Sequence, residues 1–256
     1  MKKVVWKRMT STCQGRSHLA DQVVCQDSVS TSYARNVNTV ALSDGAGSCS
    51  HSHIGSALCT RSLCSIMSHH FDEIWNMNPD DAKAKILQTL KEQLHAEANK
   101  QELEYHDLSA TALAVAVKKN RFISFHVGDG VIGFELTDRD GKKRLGAISI
   151  PNNGEHCNET VFVTSRTALQ HATFQCGSIK QPDGESITGF ILMSDGPEAA
   201  LFKKSDSTLA PACSKLLESA RDLKKKDMNS GLKHTLEFIA NSKTQDDCSI
   251  ALMAHV

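Results

Sequence analysis

Three apolar runs in this chain end in the same way, with an Asp-Gly pair, and this repetition constrains the fold more than any other feature. The runs are VALSDG at 40–45, SFHVGDG at 124–130 and FILMSDG at 190–196. A fourth run, TQDDCSIAL at 244–252, has two aspartates just before its apolar part. Short apolar runs bounded by turn residues are typical of buried strands, although a single Asp-Gly is an ordinary turn. Strands of this kind, stacked in a sheet, bring several carboxylates together at one edge.

Carboxylates gathered in this way predict a site for divalent cations. They repel one another unless cations neutralise them, and hard oxygen ligands favour Mg²⁺ or Mn²⁺. Two such ions bridged by one carboxylate can hold a hydroxide in line with a phosphorus atom. From spacing alone, a set of unrelated turns remains the alternative.

The rest of the pattern predicts strands, then helices, then strands again, in a single domain spanning 1–256. Predicted strands cover 3–12, 27–34, 38–43, 110–117, 121–127, 131–136, 159–164, 171–176, 188–193 and 248–256. Predicted helices cover 54–70, 79–98, 198–202, 212–224 and 231–240, and turns are expected at 118–120 and 138–141. No repeat or low-complexity linker divides the sequence.

Charge and hydropathy exclude two classes of partner. The formal net charge is +0 and the pI is about 7.2, so the chain has no overall basic character for nucleic acid. No apolar run approaches the roughly 20 residues of a membrane span, and the first residues lack a signal-peptide core. We therefore expect a cytoplasmic protein that binds neither nucleic acid nor membrane.

Cysteine and histidine are frequent but do not form the spacings of a metal or disulfide motif. The nine cysteines include no CxxC pair, which argues against a disulfide framework and a structural zinc site. Among the twelve histidines, His51 and His53 form a close pair beside the first Asp-Gly, where a solvated loop or helix cap is the favoured interpretation.

In their order along the chain, six short motifs resemble those of the metal-dependent protein serine/threonine phosphatases of the type 2C (PPM) family, in its compact bacterial form. The motifs are Cys25-Gln26-Asp27, Asp44-Gly45-Ala46-Gly47, Ser109-Ala110-Thr111, Val127-Gly128-Asp129, Ser194-Asp195-Gly196 and Asp246-Asp247-Cys248-Ser249. The resemblance covers nearly the whole chain. It implies an α+β fold, a four-layer α-β-β-α sandwich with two central antiparallel sheets flanked by helix pairs.

The resemblance also implies a site. Asp44 would bridge two Mn²⁺ or Mg²⁺ ions, and the Gly45 carbonyl would ligate one of them. Asp195 and Asp246 would complete the ligands of the other ion, and all three aspartates count as catalytic. Asp129 would contribute to a third, weaker metal site, and Asp27 would orient metal-bound water from behind the ligands.

The implied reaction is direct hydrolysis of phosphoserine or phosphothreonine by water activated between two metal ions, without a phosphoenzyme. The expected partners are a phosphoprotein substrate, a cognate serine/threonine kinase and the targets of that kinase. Two alternatives stay open. In the first, the chain is a weakly active or inactive regulatory relative. In the second, it is a hydrolase of small phosphoesters. The oligomeric state is not predicted.

The chain departs from the family pattern at several positions. Gln26 replaces the usual glutamate, and Gln22 replaces an arginine that binds substrate phosphate, for which Arg16 and His18 are the substitutes considered. Asp247 replaces an asparagine and would serve an extra metal or nothing. Residues 48–53 form an insertion at the rim of the site. The sequence does not place the substrate-contacting flap that family members insert beside the site, and 151–158 and 181–185 are candidates on composition only.

Overall fold

The structure is a computed structural model that describes residues 5–151 and 160–256. The strands are β1 Trp6–Cys13, β2 Ser28–Ala34, β3 Val37–Ser43, β4 Ala112–Lys118, β5 Arg121–Val127, β6 Val131–Thr137, β7 Lys143–Ser149, β8 Thr173–Ser178, β9 Ser186–Met193, β10 Phe202–Lys203, β11 Thr208–Leu209 and β12 Cys248–His255. The helices are α1 Arg16–Ala20, α2 Ser52–His69, α3 Phe71–Asn76, α4 Pro79–Gln101, α5 Ala168–His171, α6 Asp195–Leu201, α7 Pro211–Asp222 and α8 Lys225–Ser242.

The described strands form two five-stranded antiparallel sheets and a small pair, β10 with β11. The first sheet has the order β1-β12-β9-β6-β7 and joins strands from both ends of the sequence. The second sheet has the order β2-β3-β4-β5-β8, so most of its neighbours in space are also neighbours in the chain. The predicted pair of antiparallel sheets is confirmed.

Strand alternation explains why the sheets pack face to face. Side chains of successive residues in a strand point to opposite faces. Along β4, Leu113, Val115 and Val117 lie in the core between the sheets. The intervening alanines of the same strand, Ala114 and Ala116, belong to the core beneath the helices. Each sheet therefore has two buried faces.

Helices cover the outer face of each sheet and complete the four layers. Against the second sheet pack α2, α3 and α4, whose buried residues include Leu63, Ile74 and Leu90. Against the first sheet pack α6, α7 and α8, through Leu217 and Leu236 among others. The predicted four-layer α-β-β-α sandwich is confirmed.

Most predicted elements form, and the exceptions have local causes. The predicted strand at 159–164 is wrong over 161–164, because these residues make isolated contacts and enter a turn. The predicted turn at 138–141 joins β6 to β7, and Asp138 accepts the backbone N–H groups of Asp140 and Lys142. The strand β7 was not predicted, since KRLGAIS lacks a clear apolar alternation.

The two positions considered for a flap have different outcomes. Residues 152–158 lie outside the described residues. The turn at 181–185 joins β8 to β9 and is closed by a bond from the Gln181 N–H to the Glu185 carbonyl, 2.8 Å long. From this turn β9 runs toward Asp195, about 25 Å away along an extended strand. Of the two candidate positions, 181–185 is therefore too far from Asp195 to form a flap beside the site.

Among the residues that the structure describes, no helix is both long enough and apolar enough to cross a membrane.

Candidate active site

The ends of four strands bring the predicted aspartates to one end of the sandwich. In the second sheet, Asp44 directly follows β3 and Asp129 lies just beyond β5. In the first sheet, Asp195 begins α6 after β9, and Asp246 precedes β12. All four, together with Gly45, line one pocket of about 240 Å³. The structure thus gathers residues that are far apart in the sequence.

Asp44 is held in place by Thr111 at the start of β4. The Asp44 backbone N–H donates to the Thr111 hydroxyl oxygen, and the Thr111 N–H donates to the Asp44 carbonyl, each at 2.8 Å. The hydroxyl of Ser43 donates to the Thr111 carbonyl. Sequence reasoning gave Thr111 no specific task, although it belongs to one of the six motifs. The role of Thr111 could have been inferred from its position on the chain segment that pairs with the end of β3, opposite Asp44.

Gly45 continues the contact between the two strands beyond Asp44. It forms an antiparallel bridge with Ala110, and its N–H donates to the Gln26 carbonyl at 3.2 Å. A Cβ at this position would come within 2.9 Å of the backbone of Ser52. Glycine therefore lets α2 approach the pocket closely, which leaves the backbone itself in the pocket wall.

Burial and mutual repulsion raise the carboxyl pKa values of the site. Burial raises the pKa of Asp44 well above its usual range, and the charges of Asp27, Asp195, Asp129 and Asp246 raise it further. Burial, followed by the charges of Asp129 and Asp246, raises the pKa of Asp195 to about 6. Like charges held this closely in a buried site favour either protons or cations.

The donor atoms fit divalent cations. One carboxylate oxygen of Asp195, one of Asp27 and the amide oxygen of Gln26 are buried without a hydrogen-bond partner. Within residues 5–151 and 160–256, no lysine or arginine forms an ion pair with any of the five aspartates. Buried oxygens that lack both protein donors and cationic side chains are suitable ligands for Mn²⁺ or Mg²⁺.

The described carboxylates line the pocket without being close enough together to form a complete metal-ligand cluster. In the part of the chain that the structure describes, no group of three or more Asp, Glu, His or Cys side chains already has the geometry of a metal-ligand cluster. Mg²⁺ in proteins keeps several waters and uses one or two carboxylates. Ions in this pocket would accordingly depend on water and on backbone oxygens such as the carbonyl of Gly45.

Asp27 lies behind the pocket and contacts Asp44 from the side of the protein core. One of its carboxylate oxygens accepts from the Ser194 hydroxyl at 2.8 Å, and Ser194 in turn accepts the Ser249 N–H at 3.0 Å. Burial raises the pKa of Asp27 to about 7, and the charge of Asp247 adds to this, whereas the hydrogen bond from Ser194 opposes it. Both serines lie within the predicted motifs.

Asp247, which was considered for an extra metal, is not part of the pocket lining. Its carboxylate accepts the backbone N–H of Gly15 at 2.7 Å and that of Gln26 at 2.6 Å, and its second oxygen lies 3.0 Å from Nδ1 of His18. The side chain is 2% exposed. Both oxygens are therefore engaged by protein groups, and Asp247 ties three segments together.

The two residues considered for substrate phosphate lie in different places. His18 lines the pocket, with its ring beside Asp247. Arg16 is exposed, lies outside the pocket lining and donates to the Thr244 carbonyl at 3.1 Å. Gln22, at the position of the family arginine, is also exposed and outside the lining.

The paired histidines lie at the start of α2 and not in the pocket. His51 occupies the helix N-cap position without a capping side-chain bond, and its Nδ1 lies 3.8 Å from a carboxylate oxygen of Asp107. His53 is partly buried, and burial lowers its pKa, with a further contribution from His51. The interpretation as a loop or cap holds for His51, at the N-cap position, whereas His53 is the second residue of α2.

Comparison with known families gives one match over most of the chain. The model of the protein phosphatase 2C family matches residues 14–237. This range includes all the described pocket residues except Asp246.

Two further comparisons agree with this match. The chain is 24% identical to serine/threonine-protein phosphatase 3 of Escherichia coli (strain K12), over 96% of its own length and 97% of that protein. Its fold is similar to that of the S. agalactiae serine/threonine phosphatase, with a TM-score of 0.65 and 17% identity over 98% of this chain and 99% of the other. It is also similar to the catalytic domain of serine threonine protein phosphatase PstP in complex with 2 manganese ions, with a TM-score of 0.60 and 20% identity over 99% and 100% of the chains.

Proposed function

Because this chain belongs to the protein phosphatase 2C family, we propose that it hydrolyses phosphoserine and phosphothreonine in proteins with the help of bound Mn²⁺ or Mg²⁺. The observation that carries this proposal is the convergence of Asp44, Asp129, Asp195 and Asp246 on one pocket. The raised pKa values of the Asp44 and Asp195 carboxyl groups mark charges that the protein itself leaves uncompensated. The manganese ions of the PstP structure support the choice of metal.

The proposed ligands follow the positions that the pocket brings together. Asp44 and the Gly45 carbonyl would hold one ion, and Asp44, Asp195 and Asp246 would hold a second. Asp129, which accepts a hydrogen bond from the Thr160 hydroxyl, would contribute to a third site. When bound, the ions would supply a nucleophile at neutral pH by lowering the pKa of water, and would stabilise charge on the phosphoryl oxygens.

The protein's own groups then have positioning tasks. Thr111 fixes the backbone of Asp44 and thereby the point from which its carboxylate projects. Asp27 would orient water from behind Asp44, and Ser194 holds the Asp27 carboxylate. His18, which lines the pocket, is our proposed contact for the substrate phosphate.

One observation favours a second candidate, a regulatory relative with little or no activity. Gln26 places a neutral amide where a carboxylate is usual, and the side chains do not form a closed metal cluster within the described residues. A site with one charge fewer binds cations more weakly. We favour the active enzyme, because the three main carboxylates are present and face one pocket.

The remaining parts of the proposal concern partners and organisation. We propose that the substrates are phosphoproteins and include targets of a cognate serine/threonine kinase. We also propose that residues 1–256 form one domain, since a shared core of residues such as Val115 and Phe190 joins the two sheets.

The decisive experiment measures hydrolysis of p-nitrophenyl phosphate and of a phosphothreonine peptide, with and without Mn²⁺. We expect Mn²⁺-dependent turnover of both, and a loss of about 100-fold or more in Asp44→Asn and Asp195→Asn. Asp222→Asn, at the exposed end of α7, is the matched control and should retain full activity.

Each alternative has its own result in this assay. Turnover of the small ester alone would identify a small-phosphoester hydrolase. Absence of turnover on either substrate, in a folded protein that binds Mn²⁺, would support the regulatory relative.

A further inference from the structure

A second and larger cleft lies at the end of the sandwich opposite the candidate active site. Its volume is about 1220 Å³. It is lined by the start of β1 and β9, the end of β12, and the two tight hairpins that join β2 to β3 and β4 to β5. These strands run from the cleft toward the carboxylates, so the two sites are separated by the length of the sheets. Nothing in the proposed reaction uses this end of the molecule.

The floor of the cleft is apolar and contains one unsatisfied donor. Trp6, Ile179 and Ile187 belong to the core between the sheets but also line the cleft. Trp6 is only 4% exposed, and its indole N–H has no hydrogen-bond partner. A buried donor without an acceptor is unfavourable, so such a group is suited to a ligand that brings an acceptor.

The rim of the cleft is basic. Arg8, Arg35, Lys119 and Lys180 line it, and within residues 5–151 and 160–256 none of them forms an ion pair with a carboxylate. Lys118 also lines the cleft but is paired with Asp72 on α3. No aspartate or glutamate is among the described residues of the lining. The cleft therefore combines an apolar floor with a rim of uncompensated positive charge.

The shape of the cleft favours an extended occupant. Its cations come from β1, from both hairpins and from the segment after β8, so they surround the opening. Its volume exceeds the roughly 300–1,000 Å³ of most small-ligand pockets. An occupant that satisfies these features carries several negative charges around an apolar group and supplies a hydrogen-bond acceptor.

We propose that this cleft is a docking site for an acidic polypeptide segment of a partner protein. An apolar side chain of the segment packs on Trp6 and Ile187, and a backbone carbonyl accepts the Trp6 indole N–H. Aspartate and glutamate side chains of the segment pair with Arg35, Lys119 and Lys180 at the rim. Docking at this end leaves the candidate active site free, so a single partner can present its phosphorylated residue elsewhere.

The test measures direct binding, which does not require catalysis or metal. The probe is a short fluorescein-labelled peptide in which aspartates and glutamates flank a Leu-Phe pair, and binding is followed by fluorescence anisotropy in EDTA. We expect saturable binding that weakens as salt is raised. Two control peptides, one with lysines for the acids and one with serines for Leu-Phe, should bind at least about tenfold more weakly.

Charge reversal locates the binding site. The double variant Lys119→Glu/Lys180→Glu should weaken binding by about tenfold or more, since it turns two attractive contacts into repulsive ones. The control Lys215→Glu/Lys226→Glu changes the net charge equally on the exposed surfaces of α7 and α8 and should leave binding within about twofold. All four positions are exposed, and Mn²⁺-dependent hydrolysis of p-nitrophenyl phosphate should be unchanged in both variants.

The two tryptophans allow the floor to be tested separately. In Trp75→Phe the only remaining indole is that of Trp6, and its emission should change as the peptide binds. Trp6→Phe keeps an aromatic ring but removes the N–H, and should weaken binding about fivefold without loss of the folded state in a urea titration.

Three outcomes would overturn the proposal. The first is equal weakening of binding in the two double variants. The second is equal affinity for the peptide that lacks Leu-Phe. The third is tight, Lys119- and Lys180-dependent binding of ATP or inorganic polyphosphate without peptide binding, which would assign the cleft to a small anion instead. Asp44→Asn should lower phosphatase activity but leave peptide binding intact. Its loss of activity therefore tests only the proposed function.

Discussion

Gln26 stands where the resemblance to the family predicts a glutamate. Its backbone is fixed on both sides, because the N–H donates to Asp247 and the carbonyl accepts from the Gly45 N–H and the Ser56 hydroxyl. Its side-chain oxygen is buried in the pocket wall without a partner. These backbone bonds do not involve the side chain, so a glutamate could replace Gln26 without changing them. Compared with a glutamate, the amide of Gln26 lowers the negative charge of the site.

We expect Gln26→Glu to bind Mn²⁺ about tenfold more tightly, because it adds one negative charge to a pocket of uncompensated carboxylates. The measurement is isothermal titration of the metal-free protein with Mn²⁺. Gln22→Glu is the matched control, since Gln22 is exposed and lies outside the pocket. An unchanged affinity in Gln26→Glu would mean that the side chain does not reach the ions.

At the scale of elements, the position of α2 governs the position of the site. Gly55 in α2 lies so close to the segment before β4 that a Cβ there would overlap the Leu108 carbonyl. Leu108 leads directly into the segment that ends at Thr111, which fixes Asp44. A shift of the helix is therefore transmitted to Asp44 over a few residues.

We predict that Gly55→Ala lowers the free energy of unfolding by about 1–3 kcal/mol, because the added methyl group meets backbone that cannot easily move. It should also reduce Mn²⁺-dependent turnover. Gly231→Ala in α8 is the control, since a Cβ there meets nothing within 4 Å. Alanine is the better helix former, so this change should stabilise the protein by about 0.5–1 kcal/mol. Urea unfolding measures both, and equal effects of the two substitutions would refute the close contact.

The strands were predictable because their patterns are local. The alternation of Leu113, Val115 and Val117 with alanines and the Asp-Gly ends are visible in the sequence, and the structure confirms the strands they predict. The convergence of Asp44 with Asp195 was suggested by motif order and needed the fold to be seen. The anchoring by Asp247 was not predictable, because its partners lie more than two hundred residues away in the sequence.

At the scale of the whole molecule, the site opposes folding when no metal is bound. The carboxyl pKa values of Asp27 and Asp195 are raised by burial to about 7 and about 6, above the values of an unfolded chain. Below about pH 4 both states hold these protons, and the shift has no effect on stability. As the pH rises from there through about 7, the unfolded chain releases protons that the fold retains, so this contribution to stability falls.

Metal binding should reverse that loss, and it should do so most strongly at the higher pH. We expect saturating Mn²⁺ to raise the melting temperature by about 5–10 °C at about pH 7 and by clearly less at about pH 5, where protons compete for the carboxylates. Comparing each pH with and without metal removes the effects of groups elsewhere, such as His126, whose pKa is lowered to about 4 by burial. Asp44→Asn should show a much smaller increase at both pH values. A larger increase at the lower pH would contradict the assignment of these carboxylates as ligands.

The order of strands in the two sheets also bears on when the protein becomes competent during its synthesis. The second sheet pairs β2, β3, β4 and β5 in sequence, so it can assemble as the chain emerges from the ribosome. The first sheet places β12 between β1 and β9, and the chain that precedes β12 carries Asp246 and Asp247. A nascent polypeptide that has not yet reached these residues lacks both a proposed ligand and the anchor of the pocket wall. On the proposed function, the protein therefore acquires activity only once the segment through β12 has been made, and it cannot dephosphorylate its surroundings before then.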